Sequence, residues 1–574
     1  MNPIAPRPWL PHERPMMPGS PSTPLHPVRR RVAYALVGFI VSLTGGLGNA
    51  LVTANLQNLQ GALGAYAVDI AWLPAAYVMT NVSMNLLLVK FRQEFGLRLF
   101  TEVFLVLYAL VGFAHLFVND LSSAIAVRAA HGMTGAALTS LGLYYTLQAF
   151  PAAHRMKGLV VALGLSSLAL PLARLLPASV LEYSEWRGLS MFELGLTLVA
   201  LGCVLLLKLP PGDRYKTFEK TDFLTFSLFA PGMALLCAVL ALGRTVWWFE
   251  APWLGWSLAG AIVLLTAAMC IEHNRRNPLI NTRWWGSADM LRLGLVMVLV
   301  RIVLSEQSVG AVGFLQALGM SNDQMRPMFV AVLAGTVVGI ATSALTINPQ
   351  RLNTPLVVAL LAMMGGALID VGATSQTRAA QMLLSQFLLA FGSALFLAPA
   401  LLSRMGAVIA QPRNLVSFSV LFGISQNLGG LLGSALLGTV QTLREKFHSS
   451  QIAEQLSQLE PLVSARLQGG ATAYGRVLAD PVLRGAQGRS VLAATATREA
   501  NVLAYNDVFL VIAAIAGATL VFVLGHALWE RLNRPPAAAA PPSPPTPPAP
   551  ARAAPAPSAA PGSEAGAAPL TDTI

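Results

Sequence analysis

The residues able to do chemistry in this chain are few, and most of them stand inside apolar sequence. Glu306 lies midway through the apolar run 290–316 and is the deepest acid in the sequence. A carboxylate in such a place can take up a proton when buried and give it up when a guanidinium or water comes near. Arg301 stands five residues earlier. At about 100° per residue the two are about 140° apart round a helix, so each needs its own partner on another element, or a water-filled cavity. Arg128 is the other embedded charge, about five residues into the run 123–146. A guanidinium within a span costs about 2.5–3.5 kcal/mol on insertion scales, which favours a function with a partner; the alternative is a side chain that snorkels to the headgroups. Glu193 and Asp370 fall near the ends of their runs and read as solvated rim residues, and Asp69 as a helix-opening acid. No Gly-rich phosphate loop, HExxH or Ser/His/Asp arrangement is present. His115, His131 and His526 are scattered, and Cys203, Cys237 and Cys270 sit inside apolar runs. An enzyme activity, a metal site and a disulfide framework therefore all lack support.

The elements that must position these residues are helices in a bilayer. Of 574 residues 55% are apolar and 11% charged, with a mean hydropathy of +0.61, against about 25% charged in soluble proteins. Soluble, disordered and collagen-like chains are excluded. Fourteen apolar runs are long enough to span: 33–54, 70–89, 99–118, 123–146, 158–178, 189–207, 223–243, 254–272, 290–316, 326–346, 355–373, 380–402, 416–440 and 508–529. The first follows Arg29, Arg30 and Arg31 like the core of a signal peptide, but its length and the spans after it make it a retained helix. The net charge of +12 invites a nucleic-acid reading. Distribution decides against it: with the N-terminus inside, the inner segments hold 24 Lys and Arg, and the short outer loops hold only Arg187, Arg244, Arg326 and Arg378. The positive charge sets topology, with both termini cytoplasmic.

Two stretches depart from the short-loop pattern. Residues 441–506 form a long outer segment whose part 444–467 has apolar positions at helical spacing, and one or two amphipathic helices outside the membrane are expected. From Pro535 onward the chain is Pro/Ala-rich and expected to be extended, and residues 1–28 are also Pro-rich and expected to be unstructured. Gly335 and Gly339, like Gly429 and Gly433, stand at helix-contact spacing.

Arg128, His131, Gly132 and Gly135 in the string RAAHGMTGAA resemble the R-x-x-Q-G motif of drug:proton antiporters of the major facilitator superfamily, with His131 in the glutamine place. Fourteen runs narrow the resemblance to the EmrB-type branch. Gln386, Gly392, Phe396 and Pro399 in the twelfth run, Asn427, Gly429, Gly430 and Gly433 in the thirteenth, and Tyr505-Asn506-Asp507 before the last agree with it. Three places depart from it. Gly48 stands where the family carries a first-span aspartate, the loop after the second run keeps only Gly96 and Arg98, and the fifth-span motif is reduced to Gly164, Pro171 and Pro177 with Arg174 among them.

The resemblance implies an all-α integral membrane fold of two six-helix bundles with two inserted helices. Its segments are an unstructured 1–32, a bundle over 33–207, a linker and inserted pair over 208–272, spans nine to thirteen over 273–440, the outer loop 441–506, the last span 507–530 and the tail 531–574. It further implies a multi-pass inner-membrane exporter of small amphipathic or hydrophobic compounds, driven by the proton gradient and needing no cofactor. Glu306, Arg128 and Arg301 are then the proton-coupling candidates. Asn49, Tyr144, Gln386 and Asn427 are assigned to a substrate cavity, although Tyr144 reads more readily as part of an aromatic belt. A periplasmic membrane-fusion protein and an outer-membrane channel are the implied partners, docking on 441–506. Two rivals stand beside this reading: an uncoupled facilitator or importer, favoured by the missing first-span acid, and a non-transporting scaffold.

Overall fold

The computed structural model describes residues 2–3, 10, 13, 15, 19–176, 187–411, 414–457 and 459–533. The expectations for Pro177 and for the Pro/Ala-rich tail lie outside the described residues. The apolar runs become helices because hydrocarbon offers the backbone no other hydrogen-bond partner. In order they are α1 Val28–Ala54, α2 Trp72–Phe95, α3 Leu97–Ala114, α4 Leu121–Gln148, α5 in the two pieces Arg155–Leu165 and Ala169–Leu175, α6 Arg187–Leu206 and α7 Lys220–Leu242. Then come α8 Pro252–His273, α9 as Ala288–Leu304 and Ala311–Ala317 joined through the wide turn Glu306–Gly310, α10 Arg326–Thr346 and α11 Asn353–Asp370. Last are α12 Leu383–Ala410, α13 Leu415–Gln455 and α14 Pro481–Leu532. Among the described residues the only strand pairing joins Asn2–Pro3 to Tyr215–Lys216.

Among the described residues twelve helices are long and apolar enough to cross a membrane. The expected runs 123–146 and 290–316 are helical as well but fall short of that measure. α4 falls short because it carries Arg128, His131 and Gln148, all of them buried; packed against α1, α2 and α3, it has protein rather than lipid as its solvent. α9 falls short because the wide turn breaks it at Glu306. Such turns are rare and tend to occur at functional sites.

Tyr34, Val41, Leu105, Leu141, Tyr145 and Ala200 form a core shared by α1, α3, α4 and α6. Val303, Phe314, Met328, Leu360, Leu389, Leu437 and Phe509 form another, shared by α9 to α14. α7 presents Phe229, Met233 and Cys237 to α2 and α13. The glycine pairs serve close approach: a Cβ on Gly335 or Gly339 would lie 2.5 or 2.6 Å from the carbonyl oxygens of Phe387 and Phe391 on α12.

Two expected boundaries are corrected. The unstructured N-terminus does not extend through residue 32: α1 starts at Val28, and Ser20 and Ser22 are buried, with Ser22 N donating to Pro211 O at 3.0 Å and Gln148 Nε2 donating to Ser22 O at 2.9 Å. The segment 441–506 is helical, as expected over 444–467, with α13 running on to Gln455 and a helix Pro461–Ala473; its far boundary moves, because α14 starts at Pro481 and Asn506 and Asp507 stand inside a helix. Arg444 Nε and His448 Nε2 lie 2.6 and 2.7 Å from Asp507 Oδ2 and hold the two long helices together.

Candidate functional site

A cavity of about 600 Å³ lies among α1, α2, α4, α5, α9, α10, α12 and α13. Phe329, Phe418, Phe422 and Leu304 give it apolar walls, and Asn49, Asn81, Asn85, Gln307 and Asn427 give it polar ones. Ser20, Pro21 and Thr23 line it at the face that carries Arg29–Arg31, here called the basic face. Tyr144 lines it as well, with Arg92 stacked 4.8 Å above its ring, so the aromatic-belt reading is corrected. Asn49 and Asn427 also line it, whereas Gln386 does not. Arg301 reaches the wall past Gly429, where a Cβ would lie 2.8 Å from the Arg301 Cβ; its Nε donates to Gln426 O at 3.1 Å.

On one flank sits a buried charge network. Arg128 is only 2% exposed, which excludes snorkelling. Its Nη1 donates to Gly48 O at 2.7 Å, its Nη2 donates to Asn49 Oδ1 at 3.0 Å, and its Cζ stands 4.7 Å over the Tyr77 ring. The same Nη1 is 3.2 Å from His131 Nδ1. A guanidinium can only donate, so Nδ1 accepts and the ring proton resides on Nε2. That nitrogen lies 3.0 Å from Glu193 Oε1, a close contact of a neutral imidazole with the carboxylate outside hydrogen-bond alignment. Tyr108 Oη donates to Glu193 Oε1 at 3.1 Å, and the His115 ring is 5.0 Å from that of His131. Glu193, read from sequence as a solvated rim residue, is therefore a buried member of this network, because α6 turns it toward α3 and α4. Gly132 and Gly135 let α4 meet Tyr77 and Thr80 of α2 without a side chain between them.

The network also accounts for Gly48. A Cβ there would lie 2.8 Å from Glu193 Oε1 and would collide with Tyr108 Oη. The carboxylate absent from α1 is thus supplied to the same space by α6.

On the other flank Glu306, wholly buried in the wide turn of α9, accepts from Gln386 Nε2 at 2.9 Å. The same Nε2 donates to Asp370 Oδ2 at 3.2 Å, and Asp370, also read as a rim residue, is 4% exposed. Two carboxylates share one amide here, and among the described residues no cation pairs with either. A proton is the charge compensation this geometry leaves open. Glu306 and Arg301 have separate partners.

The face opposite the basic one is closed by Asn322, between α9 and α10. Its Oδ1 accepts from Arg174 Nη1 of α5 at 2.6 Å, and its Nδ2 donates to Ala54 O of α1 at 2.9 Å. At the basic face, Lys90 of α2 pairs with Asp222 of α7 at 2.7 Å. Arg275 reaches Asp222, Glu272 and Glu219 at 2.8, 2.6 and 2.8 Å. Its guanidinium holds the Glu219 carboxyl below the ordinary glutamate value, against a smaller opposing effect of burial. Gly96 has φ +88° and makes the turn from α2 to α3. Arg98 is exposed and pairs only with Glu102 at 2.9 Å, so it takes no part in the site.

Sequence reasoning placed Glu193 and Asp370 at the rim and did not assign Tyr108, His115 or Arg92 to the site. Nothing in their local spacing marked the first two, since each lies near the end of an apolar run; their burial comes from the facing helices.

Three relatives are similar to the chain in sequence. The chain is 26% identical to the puromycin resistance protein pur8 of Streptomyces alboniger over 69% of its own length and 79% of that protein. It is 22% identical to an uncharacterized MFS-type transporter, YhcA, of Bacillus subtilis, over 74% and 80% of the two chains. It is 27% identical to the major facilitator superfamily multidrug transporter mfsC of Aspergillus fumigatus, over 41% and 45%. The family model described as Major Facilitator Superfamily matches residues 37–434, well over half of the chain. With a helical fold, a cavity walled from both halves and this match, the chain belongs to the major facilitator superfamily.

Proposed function

We propose that this superfamily transporter is a proton-driven exporter of small amphipathic or hydrophobic compounds, working by alternating access across a bacterial inner membrane. The basic face is cytoplasmic, α4 and α9 also cross, and the spans number fourteen. α1 to α6 and α9 to α14 act as the two moving bundles, with α7 and α8 inserted between them. The observation that carries the reading is the cavity between two sets of buried carboxylates, closed at one face by Asn322. Relatives named for drug resistance and multidrug transport support the export direction. Glu306, beside Asp370, carries the proton. Arg128 tunes the coupling through His131 and Glu193. Substrate meets Asn49, Tyr144, Arg301 and Asn427.

The test is efflux of anionic, neutral and cationic fluorescent dyes from cells expressing wild type, Glu306→Gln or Glu193→Gln, with and without an uncoupler. Wild-type efflux of at least one dye is expected to fall at least about tenfold with either the uncoupler or Glu306→Gln, the scale of a lost proton-transfer group. Efflux that survives Glu306→Gln but dies with the uncoupler moves the proton to Glu193. Efflux that survives everything identifies the uncoupled carrier, which the acid-free α1 favours.

The helical extension over 441–506 docks a periplasmic membrane-fusion protein that leads to an outer-membrane channel. Its exposed Leu443, Phe447, Leu459, Leu462 and Val482 support this. Deleting 445–500 should abolish co-purification of the adaptor while the protein still inserts; unchanged export would count against docking.

A further inference from the structure

The charges on the cavity wall are all of one sign. Three charged residues line it, Arg92, Arg155 and Arg301, and neither an Asp nor a Glu does. Among the described residues none of the three pairs with a carboxylate. Arg301 has the Gln426 carbonyl, Arg155 Nη2 reaches only Thr23 O at 3.5 Å, and Arg92 has the Tyr144 ring, with its Nε buried and lacking an acceptor. Off the cavity wall, buried Lys90 has Asp222, and buried Arg128 has Gly48, Asn49 and His131 as acceptors.

Guanidiniums kept in a partly dry cavity without counter-charge are costly, and an arriving anion removes that cost. Their planar forks match carboxylate, sulfonate or phosphate oxygens. The Phe329, Phe418 and Phe422 walls suit an apolar body, and about 600 Å³ is the size of a pocket for a drug-sized molecule. An organic cation would meet three like charges and no carboxylate on the wall.

We infer that the occupant of this cavity is an organic anion with an apolar body, its acidic group held by Arg301 and attracted by Arg92 and Arg155 nearer the basic face. The inference rests on the transport reading for its use, but the binding it describes can be measured without transport. Such an anion has two sources, a soluble compound or an anionic lipid headgroup, and the chemistry recognised is the same; the test separates them.

Full-length protein in phosphatidylcholine nanodiscs is titrated with three probes on one scaffold, 2-naphthoate, 2-naphthamide and 2-naphthylmethylammonium, with thermal unfolding as the readout. Wild type should bind the naphthoate at least about tenfold more tightly than the other two, the scale of one charge-assisted hydrogen bond. Arg301→Gln should erase that preference, while Arg301→Lys keeps part of it. The wild-type comparison needs no variant to fold. Equal responses to all three probes, no response to any, or a preference for the ammonium overturns the inference. Loss of the naphthoate effect when phosphatidylglycerol is added to the disc identifies a lipid headgroup as the competing anion; its persistence identifies a soluble one. Naphthoate binding without efflux of any dye would leave the anion site standing and sink the transport reading. Uncoupler-sensitive efflux of a cationic dye together with no anion preference would do the reverse.

Discussion

At position 48 the missing side chain makes room for three others. Tyr108, Glu193 and His131 all come close to where a Cβ on Gly48 would stand, and Arg128 uses the carbonyl of the same residue. Gly48→Ala therefore forces the Tyr108 hydroxyl and the Glu193 carboxylate apart. It should cost about 1–3 kcal/mol, the usual range for overpacking, read as a lower unfolding temperature in detergent. Gly195→Ala on α6, where a Cβ would meet nothing within 4 Å, should be neutral or slightly stabilising because alanine is the better helix former. Equal losses at both positions would mean that the crowding at Gly48 is not real. The acids tell the same story: Glu193 and Asp370 look peripheral by position in their runs, and only the hydroxyl, imidazole and amide that reach them from other helices make them interior.

At the scale of elements, the ends of α2, α7 and α8 are tied by charge and not by apolar packing alone. Arg275 is the hub, and two of its carboxylates, on Asp222 and Glu272, are wholly buried. Arg275→Ala leaves them short of a partner and should destabilise the chain by about 3–5 kcal/mol, as for a broken buried pair. Glu219 adds a pH limb. Its carboxyl is held below the ordinary value of 4.5 by Arg275. A group with a depressed native pKa stabilises the fold above its unfolded value, and that share is lost as the pH falls through the lower native one. Wild-type thermal stability should drop on that acid side, and the Glu219 part of the drop should be missing in Arg275→Ala. A parallel acid limb in both proteins would remove Glu219 from the account.

Across the whole molecule, the cavity reaches the segment Ser20–Thr23 at the basic face, while Asn322 latches α1 and α5 to the α9–α10 connection at the other. Two hydrogen bonds at about 1 kcal/mol each are enough to bias an equilibrium between closed and open states roughly thirtyfold. Asn322→Ala should then raise the labelling rate of a cysteine at Ser167, which lines the cavity, by about that factor when an impermeant maleimide is applied from the latched side. The measurement needs a chain with Cys203, Cys237 and Cys270 replaced by serine. An unchanged rate would show that the latch does not hold this face shut.

The sequence by itself determined the environment, the helices and where the rare charges fall along them. Apolar composition and run length leave the backbone no alternative to helix in hydrocarbon, and Glu306, Arg128 and Arg301 announce themselves by the cost of their placement. Tertiary structure decided which of those charges meet. Whether Glu193 faces lipid headgroups or His131, whether Gln386 lines a cavity or bridges two carboxylates, and whether Arg98 or Lys90 anchors the basic face depend on rotations of one helix against another. Periodicity within a single helix does not contain that information, because every face of a helix packed on all sides is equally apolar until its neighbours are in place. The single sign of charge on the cavity wall has the same origin: Arg92, Arg155 and Arg301 come from three separate helical segments, and only their packing brings them round one space.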